Sequence, residues 1–534
     1  MFAIVEHIIK YRTYEFLQSE DANSVESHED INVDSKFLQV LKLSFEIKNS
    51  QMKQIPFKTK KKIKTLEAKM EDLFRSTTMT TNVTLDNIIV LAIAYLNMGL
   101  IYVDSKEENE LCAGKNYFMR CIELLKGKEL DRKAILTSIE VYTKLQCILN
   151  KLQKPKTSEL LYEAMELYLK YTEEENKYPN PINIPSILGI EKEKSNSRLL
   201  LADVYLTTVD YLVKRYKDSP KNDDKLVIYI HNLLNKEIPE TMKFQNVGCY
   251  YWALASIDLT QYFLCNHRFT EARHHLAAAD YIMEEFHKFI NETISSEYYT
   301  LMLDKYQNAH ANIARYWATY GNKLLCSSKE KLFQRNEESC KTDNSKSESL
   351  MSSEKNITDF LLFTDFKKDL RNITSTITDT YVSNINDAKT VFVNILKWLN
   401  TAKLYFTIEN NFVIYGQTLL EISKAYKYLA YFEHSKDNLI KLYKRQIDHL
   451  EDAIKELHPK AKKKEELYIC KIIHFELGIA YSTFASINTE RLDKFDKGLI
   501  ININYANMNY NLDSETCQSM KNATKHFTSY LNMS

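Results

Sequence analysis

Three histidines sit close together in the run NHRFTEARHH: His267, His274 and His275. Imidazole nitrogens bind zinc when several converge about 2 Å from the ion. Adjacent histidines on a helix point to different faces, so His274 and His275 are expected to be surface or packing residues, and no metal is assigned. Other chemistry is missing too. No serine stands in GxSxG, HExxH does not occur, and the nine cysteines are scattered and never form CxxC. The few glycines build neither GxGxxG nor GxxxxGK, so no phosphate cradle is expected. The chain reads as non-enzymatic and without cofactors. What remains is recognition: Asp203, Glu237, Asp258 and the neutral Gln261 are the polar candidates among apolar positions, a mix that suits a larger folded or helical protein partner.

Those residues need elements to hold them. The run SIDLTQYFLCNHRFTEARHHLAAA (256–279) puts Ser256, Leu259 and Phe263 on one helix face. Ala272, Leu276 and Ala279 fall on the facing side of the next helix. This matches the 34-residue tetratricopeptide template, which needs small residues where two helices nearly touch. One such hairpin cannot bury its apolar face alone, so neighbours must stack into a solenoid. The inner wall of that solenoid should carry Leu96 and Leu100, Leu199 and Asp203, Ile257 and Gln261, and Phe475 and Ile479. Glu237 and Asp258 belong on or beside it.

Composition agrees. Only 9 Gly and 8 Pro occur in 534 residues, far below the roughly 12% of average usage. Folds rich in β-turns need both residues. The 35 Tyr and 24 Phe recur at helical spacing. The expected fold is all-α: a right-handed α-solenoid of tetratricopeptide-like helix hairpins in two subdomains. Lys+Arg and Asp+Glu are both 71, so no nucleic-acid partner is expected. No stretch approaches 18 uninterrupted apolar residues, and membrane insertion is not expected. The N-terminal apolar run breaks at Glu6 and His7, unlike a signal peptide, and the cysteines suit reduced thiols, so a cytoplasmic protein is expected.

Residues 1–57 read as short helices, near 1–18 and Phe37–Ile47, around an acidic linker. Residues 58–326 read as an N-terminal tetratricopeptide-like subdomain, opened by a helix from Lys58 to about Arg75. The stretch 327–356 is rich in Ser, Lys, Glu and Asn and is expected to be a disordered polar loop. Residues 357–534 read as linker helices and a C-terminal subdomain. Template positions recur at Gly99 and Ala113, at Ala202, and at Gly478, Tyr481 and Ala523. In the last repeat the second helix is delayed by an insertion from Thr483 to Ser519.

The segments ELCAGKNYFMRCIELLK (110–126), YWALASIDLTQYFLCNHRFTEARHHLAAADYI (251–282) and LAYFEHSKDNLIKLYKRQIDHLEDAIKELHP (429–459) resemble the kinesin-binding protein family. HFELGIAYSTF (474–484) and KNATKHFTSYL (521–531) continue the likeness in order, from about residue 84 onward. The resemblance implies a two-part helical solenoid that grips kinesin motor domains and keeps them off the microtubule. It also implies roles in microtubule organisation, axonal growth and organelle transport, and a cytoskeleton-associated, cytoplasmic monomer. Similar proteins carry further helices beyond the point matching Ser534, so capping of the last repeat is expected to differ. A motor surface that meets acidic tubulin must be basic, which makes Asp203, Glu237, Asp258 and Gln261 the expected partner contacts. The alternative is a generic cytoplasmic helical-repeat scaffold for other proteins.

Overall fold

The computed structural model describes residues 5–6, 10, 31–50, 57–79, 83–152, 158–173, 178–191, 196–218, 223–241, 248–293, 296–340, 360–366, 369–499 and 514–532. Among them the regular structure is wholly helical. By compactness the chain divides into two units, Met1–Leu226 and Val227–Ser534.

The first unit holds α1 (Ser35–Asn49), α2 (Phe57–Met79), α3 (Leu85–Leu100), α4 (Glu108–Leu125), α5 (Ile135–Lys151), α6 (Glu159–Glu173) and α7 (Ser197–Asp218). Hairpins α1/α2, α3/α4 and α5/α6 stack so that α1, α3, α5 and α7 adjoin in sequence order. Local chemistry fixes where these helices begin. Thr84 caps α3 by accepting from the Asn87 amide, which meets a donor left over at the helix start. Asp86 and Asn87 then turn back to bind the entering chain. Asp86 accepts from the Asn32 amide at 3.0 Å and Asn87 from the Asp34 amide at 2.9 Å. Lys133 closes the group, 2.8 Å from Asp86.

The second unit holds α9 (Gly248–Cys265), α10 (Phe269–Thr293), α11 (Ser296–Cys340), α12 (Ile385–Tyr405), α13 (Ile408–Ala430), α14 (Lys436–Leu457), α15 (Lys464–Leu499) and α16 (Ser514–Asn532). The dividing point falls within α8 (Asp224–Thr241). Here α9, α11, α13 and α15 adjoin in turn, each paired with the helix that follows it. Helix α14 shows why: Tyr443, Gln446, Ile447, Leu450, Ala453, Ile454 and Leu457 are buried at helical spacing, which gives one apolar stripe to hide.

The hairpins cross where one partner lacks bulk. A Cβ on Gly99 would overlap the Phe118 ring, and one on Gly478 would lie 2.6–2.8 Å from the Phe527 ring. Ser256 stands at the same sequence distance from His275 as Gly99 from Phe118. Its hydroxyl donates to the His275 carbonyl at 3.0 Å. Around that crossing Leu259, Phe263, Ala272, Leu276 and Ala279 are all fully buried. Ala202, Tyr481 and Ala523 are buried as well.

Three expectations are corrected. Ala113 is only half-buried; the close approach in α4 is made by Gly114, whose added Cβ would stand 2.7 Å from Ile148 Cδ1. The polar stretch from Ser327 is helical to Cys340, because Ser327 and Ser328 are buried and Lys329 and Lys331 lie over the Tyr431 and Tyr381 rings. Residues 341–359 lie outside the described residues. The delayed second helix of the last repeat starts at Ser514, before the expected end of the insertion at Ser519, and α15 reaches Leu499; residues 500–513 lie outside the described residues. Of the helix expected at 1–18, only residues 5, 6 and 10 are described, all helical.

Candidate partner-binding wall

In the second unit the first helices of successive hairpins share a polar, aromatic seam. From α9, Tyr250 donates to Asn308 Oδ1 at 3.1 Å and Asp258 accepts from the Tyr316 hydroxyl at 2.8 Å. Lys305 Nζ lies 4.9 Å from the Tyr250 ring centroid and 5.6 Å from that of Tyr251. On α11, Asn308 donates to the Tyr405 hydroxyl, which in turn donates to Asp304 at 3.0 Å. Toward α13, Arg315 donates to Gln417 at 3.2 Å and Asn322 to Glu421 Oε2 at 2.8 Å. Burial lowers the pKa of the Arg315 guanidinium, with Tyr316 and Glu421 opposing. Neutral groups therefore meet most of the polar demand in this seam, and its carboxylates are already hydrogen-bonded.

The seam ends in aromatic surface on α15 and α16. Tyr468 is 62% exposed, Phe475 39% and Leu531 69%. Phe475 packs on Tyr530 at 5.1 Å between centroids, and Lys471 lies 4.9 Å from the Tyr530 ring. Large apolar groups left in water beside cations mark a surface suited to protein contact.

The four expected contacts divide between the units. Asp203 lies in the first, its side chain 63% exposed and 3.9 Å from Lys10. Glu237, Asp258 and Gln261 lie in the second; Gln261 is exposed, whereas Glu237 and Asp258 are half-buried. The wall positions also separate by burial. Phe475 faces solvent, but Leu96 and Ile257 are 4% and 1% exposed and serve as core. Sequence reasoning missed the residues that tie the wall together, Tyr316, Asn308 and Tyr405. Polar residues of α11 recurring as Asn308, Asn312, Arg315 and Tyr316 were the available signal.

Although adjacent, His274 and His275 both reach the segment 361–363, and His231 of α8 joins them. His267 stands apart at φ 58°, its ring 6.3 Å from that of Phe269. Among the described residues no group of three His, Cys, Asp or Glu side chains is placed to hold a metal ion. None of the described helices is long and apolar enough to cross a membrane.

Comparison with known proteins bears on what the wall meets. A family model described as KIF-1 binding protein C terminal matches residues 250–534. A KIF-binding protein of Drosophila melanogaster is 26% identical over 448 residues, covering 83% of this chain and 70% of its own length. One from Danio rerio is 24% identical over 430 residues, covering 76% and 64%. The chain therefore spans 64–70% of the length of these relatives. A solved circular tandem repeat protein with novel repeat topology aligns over 93% of this chain at 12% identity. Its TM-score is 0.23, a likeness too distant to bear on the fold.

Proposed function

The chain belongs to the KIF-1 binding protein family, and from that premise we propose that it is a non-catalytic binder of kinesin motor domains that blocks their attachment to microtubules. The observation that carries this reading is the family match over residues 250–534, the stretch that holds the seam from α9 to α15 and its aromatic end. A track-facing motor surface is basic because tubulin is acidic. Exposed Asp203 and Gln261, half-buried Glu237 and Asp258, and the open rings of Tyr468 and Phe475 supply acceptors and apolar anchors for such a surface. Effects on microtubule organisation, axonal growth and organelle transport would follow from sequestered motors.

The test is co-sedimentation of purified kinesin motor domains with microtubules, with and without the full chain. The expected result is a soluble motor–chain complex and motor lost from the microtubule pellet. Motor that stays in the pellet at saturating chain would overturn the blocking activity. Capture of other proteins but no motor would leave a general scaffold in its place.

A further inference from the structure

Residues Leu361–Phe366 lie against α8, α9 and α10, with Phe363 fully buried at the centre of a ring of aromatic groups. Phe363 stacks on His231 at 4.8 Å between centroids and lies tilted against His275 at 4.6 Å and Trp252 at 5.0 Å. Phe366 meets Trp252 and Tyr281. From the neighbouring helices, imidazoles supply the polar anchoring described for residues 361–363. The Phe363 amide donates to His274 Nε2 at 2.9 Å. His275 Nε2 lies 3.2 Å from the Leu361 carbonyl and 3.2 Å from His231 Nδ1.

These contacts allow one set of tautomers. A nitrogen that accepts from the Phe363 amide carries no hydrogen, so His274 Nε2 is bare. A carbonyl only accepts, so His275 Nε2 carries its hydrogen, and His231 Nδ1 must present a lone pair to it. All three rings are neutral in this arrangement, and the Ser256 hydroxyl oxygen, 3.2 Å from His275 Nδ1, stands ready to accept from a proton added there, so the rings with no such relief are His231 and His274. A proton added to His231 Nδ1 would face the His275 N–H. One added to His274 Nε2 would face the Phe363 N–H, leaving only the Phe363 carbonyl, 3.2 Å away, to receive it.

The charged neighbours offer no relief among the described residues. Arg268 and Arg273 are the cations nearest to His231 and His274. Each is already paired, with Glu271 at 2.5 Å and Asp379 at 2.7 Å. The segment's own Asp365 is exposed, and Asp369 acts on Tyr281. Burial pushes His231 and His274 down to about 4 and His275 well below its ordinary value, each lowered further by neighbouring positive charge.

We propose that Leu361–Phe366 is an acid-released latch, closed over Trp252 by three neutral histidines and opened when His231 and His274 take up protons. The hinge follows from the next stretch. Arg273 donates to the Ile377 carbonyl at 3.0 Å and pairs with Asp379, and the buried Ser328 hydroxyl accepts from the Val382 amide at 2.9 Å. Acid has no imidazole to charge there, so residues 376–382 stay in place while 361–366 leave.

Hydrogen exchange of the full chain, corrected for the intrinsic pH dependence of exchange, tests this between about pH 7 and about pH 5. Peptides over 361–366 are expected to lose at least about tenfold in protection at the lower pH, while those over 376–382 keep theirs. Equal loss in both stretches, or none in either, would overturn the latch. F363A should show the open pattern already at neutral pH. H274Q, whose side-chain carbonyl accepts from the Phe363 amide without titrating, should shift release to lower pH. A variant that fails to fold by far-UV circular dichroism is set aside, because the wild-type comparison decides alone.

Discussion

Arg273, His274 and His275 follow one another on α10, yet they hold two stretches of one connecting chain by opposite means. Arg273 grips residues 374–379 through a permanent charge, paired with Asp379 and with side chains only 22% and 21% exposed. The two histidines grip residues 361–363 as neutral rings in an aromatic pocket. Both anchors satisfy backbone polar groups of the connecting chain. They differ in which proton would undo them. A guanidinium stays charged at any working pH, whereas an imidazole changes state near neutrality. Neighbouring positions can thus give one segment a fixed end and a conditional end.

The largest expected effect removes both ends together. Ala272 is fully buried at the α9/α10 crossing, and Ala272→Arg should cost more than about 4 kcal/mol, because the charge has neither water nor partner there. Urea unfolding followed by circular dichroism would show it, and a near-normal midpoint would refute the crossing. Next comes the fixed end alone. Arg273→Ala leaves Asp379 partly buried without its partner and should cost roughly 2–3 kcal/mol. That loss should be the same at neutral and mildly acidic pH; a strongly pH-dependent loss would erase the contrast between the anchors.

Acid alone should act on the conditional end. The unfolded histidines bind protons near their ordinary value of 6.5, while the folded His231 and His274 resist to about 4. Between those values the unfolded state holds more protons, so stability falls as pH falls from about 6.5 toward about 4, by roughly 1.4 kcal/mol per pH unit per fully coupled histidine. His474, also pushed down to about 4 by burial and by His526 beside it, adds to the same slope. A flat stability profile over that range would remove the distinction. A smaller stability change is expected for Tyr316→Phe, which deletes one hydrogen bond to Asp258 and should cost about 1 kcal/mol. Asp203→Lys with Glu237→Lys should leave stability almost untouched but weaken motor binding at low salt. Unchanged, salt-sensitive binding would exclude both carboxylates from the contact.

Much of the architecture was legible because apolar periodicity reports burial directly. The helices expected at Phe37–Ile47 and from Lys58 to about Arg75 occur as Ser35–Asn49 and Phe57–Met79. The hairpin spacing around Ser256 led to the α9/α10 crossing. Legibility failed where tertiary contact overrode local composition. Ser327–Cys340 is polar enough to resemble a loop, but it continues a helix whose earlier turns are already packed, and its lysines find Tyr381 and Tyr431. Adjacent histidines point to different faces of α10, yet a chain crossing that helix touches both. His231 lies in an apolar run, LVIYIHNLL, where a histidine among buried Leu226, Val227, Ile230 and Leu234 was the missed signal.

The contact of Phe527 with Gly478 has a practical corollary. The ring finds its seat although far more chain separates this pair than separates Phe118 from Gly99. Lengthening a connection costs only about 0.6 kcal/mol per doubling, so shape at the crossing, and not separation along the chain, selects the partner. Engineering of this pair should therefore start at the crossing, where Gly478→Leu is expected to unseat the Phe527 ring and free α16 from α15.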